Sequence, residues 1–124
     1  DEKFFLYFEE IDLFLRCKIK MKKVYVTTNL SIIHQKASSV IVKNKNELIY
    51  LRVWHHMWSM FYVYKKHFGY LFAIKKCYIY LIKDLIMISV FFLRFDKINL
   101  LKRFNRISGL ITSMLNIRSF KRIK

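Results

Sequence analysis

The sequence predicts a mostly helical α/β chain: an acidic helix and two short strands, then long basic amphipathic helices. Three observations point there. Apolar residues recur at helical spacing, as at Ile11, Phe14, Leu15 and Ile19. A β-branched and aromatic stretch, Val24–Thr27, interrupts that period. Charge is segregated, with five acids and one lysine in residues 1–14, against nine Lys, six Arg and two acids in residues 51–124. An acidic head and a basic tail read as two regions with different partners, residues 1–46 and 47–124.

Taken in order, Asp1 to Tyr7 reads as loop or extended chain. Glu9 to about Lys22 reads as a helix, with Glu9, Glu10 and Asp12 in the first turn and Lys18, Lys20, Lys22 and Lys23 towards its end. Both charge placements suit the helix dipole. Val24–Thr27 and Leu30–His34 are the two expected strands. The polar stretch from Gln35 to Asn46 reads as a loop, with Asn46 as N-cap of the next helix. Glu47–Lys66 is a long helix candidate, and Gly69 marks its cap or a hinge. Tyr70–Phe95 and about Leu100–Ile117 are two more, with Gly109 as a candidate break in the last.

The 124-residue chain carries a formal charge of +16, is 55% hydrophobic, and has no proline and two glycines. Its wealth of aromatic and branched aliphatic side chains excludes disorder. Two glycines exclude collagen-like and linker architectures. Cys17 and Cys77 lie far apart in apolar sequence, which points to reduced thiols rather than a disulfide framework. A membrane-spanning helix needs about 20 apolar residues. Lys83 and Asp84 interrupt the apolar stretch that begins at Cys77, so this helix is expected to pack or to lie at a membrane interface. The first residue is Asp1 and no signal peptide follows, so the chain reads as a fragment lacking its N-terminal portion.

One motif carries chemistry. Asp1 to Arg16 reads DEKFFLYFEEIDLFLR. It resembles the acceptor-side motif of family 2 glycosyltransferases, matching at Asp1, Glu2, Phe4, Phe5, Tyr7, Glu9, Glu10, Asp12, Leu13 and Arg16. A second family element, a histidine-containing turn, is similar to the stretch from His34 to Ser39. A third is similar to Lys65, Lys66, His67, Phe68 and Gly69. Their order resembles the rhamnosyltransferase-like branch, over roughly residues 1–75. The family's turn glycine after the acidic helix is replaced by Met21, its proline by Thr28, and the glycine after the histidine by Ala37. Each lost glycine costs about 1 kcal/mol where left-handed backbone is required.

The resemblance implies the C-terminal part of a GT-A Rossmann-like catalytic domain over residues 1–46, followed by a helical, membrane-peripheral extension over residues 47–124. It implies inverting transfer of a sugar from a nucleotide-sugar donor to a surface-polysaccharide or lipid-linked glycan acceptor. Such transfer needs a carboxylate to take the acceptor hydroxyl's proton. The family's base position is Glu10, with Asp12 as the alternative. Glu9, Arg16, Phe5 and Tyr7 are the implied substrate-binding residues. A divalent cation, Mg²⁺ or Mn²⁺, neutralises the leaving diphosphate, and His34 is the candidate ligand; the family's D-x-D aspartate does not occur. The isolated chain is therefore expected to be inactive.

Each residue also has a plainer role. First-turn acids stabilise a helix without any chemistry. His55 and His56, being adjacent, face different sides of a helix and read as structural, and Trp54 and Trp58 read as packing. The basic tail suits an anionic membrane at the cytoplasmic face of the plasma membrane. It carries no nucleic-acid fold signature. The alternative to a transferase is a non-enzymatic, basic, membrane-peripheral helical protein.

Overall fold

The computed structural model describes residues 1–31 and 45–122. Four helices follow one another: α1 (Glu9–Ile19), α2 (Lys45–Phe68), α3 (Tyr70–Leu93) and α4 (Lys97–Met114). Among the described residues there is no strand, so the α/β expectation is replaced by an all-helical arrangement. Val24–Thr27 is irregular chain, with Val26 94% exposed. Among the described residues its β-branched side chains have no neighbouring strand to pair with, and a lone strand is not stable in water. Of Leu30–His34, Leu30 and Ser31 are irregular and the remainder lies outside the described residues. Most of the expected loop falls there too, but its end is helical: Asn46 sits inside α2 rather than capping it.

The centre of the molecule is α2, which packs against α1, α3 and α4. Leu51, Trp54, Met57, Trp58, Met60, Phe61, Tyr62 and Val63 are all buried, so one helix is covered on nearly every side along its middle. Ala73 and Cys77 of α3 and Leu110 of α4 complete the core around Met57, Met60 and Phe61. Burial of each large side chain contributes about 1.5–3 kcal/mol. The indoles bury without an orphaned donor: Trp54 Nε1 donates to Ser108 Oγ at 3.2 Å and Trp58 Nε1 to the Ile117 carbonyl at 3.0 Å.

Gly109 does not break α4. A Cβ there would lie 2.2 Å from the Trp54 carbonyl oxygen, so the missing side chain is what lets α4 approach α2. Gly69, with φ 90°, makes the turn between α2 and α3. Asp96 caps α4, its Oδ1 accepting from the Asn99 amide at 3.1 Å. A buried ion pair joins α3 to α4: Asp84 Oδ1 meets Arg103 at 2.7 Å and Oδ2 meets Arg106 at 2.8 Å. Beyond α4, Asn116 adopts φ 59° and turns the chain back along α2. There His55 Nε2 donates to the Lys121 carbonyl at 2.8 Å, and Ser119 Oγ lies 3.3 Å from His55 Nδ1.

Past the end of α1, Met21 has φ 52°, the conformation glycine adopts without strain. Opposite glycine exchanges should therefore have opposite effects. Met21→Gly should raise stability by about 0.5–1 kcal/mol, and Gly109→Ala should lower it by about 2–3 kcal/mol through the clash with α2. Urea unfolding of the two variants beside the parent checks both signs.

Candidate functional site

The site begins at an unusual entry into α1. Tyr7 and Phe8 both lie in the left-handed region, with φ 67° and 68°. For bulky residues this costs of order 1–3 kcal/mol each and persists only where the surroundings enforce it. Here α2 enforces it. Ser59 Oγ donates to the Leu6 carbonyl at 2.8 Å, and the rings of Tyr7 and Phe8 meet His56 edge-on at 5.6 and 5.3 Å. The chain enters α1 with no side-chain cap, so the first-turn acids Glu9, Glu10 and Asp12 carry the favourable interaction with the helix dipole.

The three acids then diverge. Asp12 is fully buried. Its Oδ2 takes the Arg16 Nε–H at 2.9 Å, and its Oδ1 meets Lys66 Nζ at 2.6 Å and His67 Nε2 at 2.8 Å. Burial pushes its carboxyl upward, but the hydrogen bonds from Lys66, His67 and Arg16, with the charge of Lys66, more than offset this and bring it down to about 2. A carboxylate held so firmly as an anion is a poor proton acceptor. Asp12 is an anchor for α1. Glu9 and Glu10 are exposed, and among the described residues neither has an ion pair or a side-chain hydrogen bond.

Arg16, expected to bind substrate, instead braces Asp12. Phe5 lies against the His55 ring at 4.8 Å, with the Arg122 guanidinium 3.8 Å over its face. Tyr7 is half-buried against His56. His34 lies outside the described residues. Among the described residues, no three His, Cys, Asp or Glu side chains converge where a metal ion could be held. Cys77 is buried and its thiol is pushed up to about 11, which leaves it inert as a nucleophile.

Two expected elements, the acidic segment and the Lys66–His67 end of α2, thus meet at Asp12 although 55 residues separate His67 from it. Lys66 and His67 belong to the third family-like stretch, and no spacing along the chain ties them to Asp12. A second feature went unread: a hollow of about 710 Å³ between the first three residues, α2 and the tail after α4. Basic residues such as Arg118 and Arg122 line it, and the only sequence signal for them was the charge of the tail. No protein-family model, curated protein or solved structure matches the chain.

Acid should weaken the fold in two stages. Burial, aided by the charges of Lys121 and Arg122 and opposed by the bond to the Lys121 carbonyl, lowers the pKa of His55 below 6.5; burial and Arg106 lower that of His56. Folding then keeps both rings neutral, so stability present above pH 6.5 is lost as pH falls below it. Asp12 adds about 2 kcal/mol that is present above pH 3.8 and lost as pH falls towards 2. Urea midpoints across pH should show both stages, and Asp12→Asn should erase the second while costing about 3 kcal/mol at neutral pH.

Proposed function

We propose that the chain supplies the acceptor-side part of a family 2-like inverting glycosyltransferase, acting on a surface-polysaccharide or lipid-linked glycan from a nucleotide-sugar donor. The observation that carries this reading is the division of labour in the first turn of α1. Asp12 is clamped by Arg16, Lys66 and His67, while Glu10 stands open to solvent on the helix they fix. A rigidly mounted, water-accessible carboxylate is what proton abstraction from an acceptor hydroxyl requires. In this reading the acceptor oxygen bonds to the anomeric carbon as the bond to the donor diphosphate breaks on the opposite face, and the hydroxyl proton passes to Glu10. Glu9 binds or orients the acceptor, and Asp12 positions the helix. A divalent cation, when bound, would neutralise the leaving diphosphate; among the described residues no three His, Cys, Asp or Glu side chains converge to hold it.

The tail supports a membrane-surface location for the same reaction, and it also favours the second reading of a non-enzymatic, membrane-peripheral helical protein. No helix of the described residues is long and apolar enough to cross a membrane. Yet α3 leaves Leu71, Tyr78, Ile79, Ile82, Leu85 and Ile86 exposed, and Lys75, Lys76 and Lys83 lie among them. Apolar side chains flanked by lysines suit the headgroup region of an anionic bilayer. On this reading the protein works at the cytoplasmic face of the plasma membrane.

In a protein that joins this sequence to a donor-binding half, Glu10→Gln should lower sugar transfer to a lipid-linked acceptor at least 100-fold and leave donor-nucleotide affinity unchanged. Transfer at the parental rate would remove Glu10 from the role. For the surface, the 124-residue chain should sediment with vesicles containing anionic phospholipid and not with neutral ones, and half-molar salt should release it. Equal binding to both vesicle types would point away from electrostatic docking.

A further inference from the structure

The hollow between the N-terminal segment, α2 and the tail belongs to neither the acidic cluster nor the exposed face of α3. Four basic side chains line it, Lys3, Lys65, Arg118 and Arg122, against two acids, Asp1 and Glu2. Asp1 is already engaged: Tyr62 donates to its Oδ2 at 2.9 Å and Lys66 lies 2.7 Å away. Among the described residues, Arg118 has no carboxylate partner. Lys65 donates to Asn116 Oδ1 at the same wall. Its pKa is lowered by burial and by the charge of Lys3, and both ammonium groups lie over the Tyr62 ring, at 5.4 and 5.7 Å from its centroid.

A second, independent observation lies in the same lining. The Ser113 hydroxyl is buried, and among the described residues it has no hydrogen-bond partner. A buried polar atom left unpaired costs about 1–3 kcal/mol. A ligand oxygen accepting that proton would remove the cost, and a multiply charged anion would also relieve the repulsion between Lys65 and Lys3. The rings of Trp58 and Tyr62, stacked with centroids 5.0 Å apart, form an apolar side to the same space.

We propose that this hollow is a binding site for a diphosphate-bearing ligand, with Arg118, Arg122 and Lys65 meeting the phosphate oxygens and Ser113 donating a hydrogen bond. The inference does not depend on Glu10 acting as a base. A nucleoside diphosphate and a lipid-linked diphosphate share the recognised chemistry, and the volume of about 710 Å³ admits either headgroup.

Inorganic pyrophosphate titrated into the 124-residue chain, read by the indole N–H resonances, is the first test. Trp58 lines the hollow and its signal should shift, whereas Trp54 lies outside the lining and should not. Arg118→Gln should weaken binding about tenfold. Lys20→Gln, the same charge change on the exposed end of α1, should weaken it less than twofold. Ser113→Ala should weaken binding about threefold while leaving thermal stability equal or higher, since it removes an orphaned hydroxyl, so lost affinity there cannot come from misfolding. Equal losses in Arg118→Gln and Lys20→Gln, or an unmoved Trp58 resonance, would overturn the proposal. Uridine diphosphate and vesicles bearing a prenyl diphosphate then compete against pyrophosphate, and the stronger competitor identifies the source.

Discussion

The buried carboxylate of Asp12 is the constraint on which the rest of the candidate site depends. An isolated ionised group at zero exposure would be prohibitive, and three cationic or hydrogen-bonding partners make it tolerable. Two of them, Lys66 and His67, come from the last turns of α2. Arg16 comes from α1 itself, one turn further along. The cluster therefore joins a short helix, which would be marginal alone, to the best-buried helix in the molecule. Breaking the joint frees α1 and with it both exposed acids.

What α2 offers in return is rigidity. Its middle is buried against three other helices, and its aromatic and histidine side chains hold both ends of the chain. Ser59 and His56 fix the strained entry to α1; Trp58 and His55 fix the returning tail. The hollow lies where these two attachments come together. Its walls come from three separate parts of the chain, so its shape is set by packing and not by any local sequence pattern.

The helices were legible because their signal is local. Apolar spacing placed α1, α2 and α3 within a few residues of their observed bounds. The strand expected at Val24–Thr27 was misread because β-branched composition describes a side chain's fit to a sheet, and among the described residues there is no sheet for it to join. Gly109 was misread for a related reason: the residue that can end a helix is also the one that lets two helices touch, and only the position of Trp54 distinguishes the cases. In the site, the acidic segment and the Lys66–His67 pair were visible as residues. That Asp12 faces inward while Glu10 faces water depends on the rotation of α1 against α2, which no spacing within α1 encodes. The tail residues Ser119, Lys121 and Arg122 carry no periodicity at all, yet they close the structure over His55.

The two cysteines differ in a way that has a practical use. Cys77 is sealed in the core with its thiol pushed up to about 11, while Cys17 is half-buried on α1. At neutral pH a maleimide dye should attach to one sulfur atom only. The acidic helix therefore carries its own labelling handle, and a fluorophore placed there reports on α1 docking without any engineered residue.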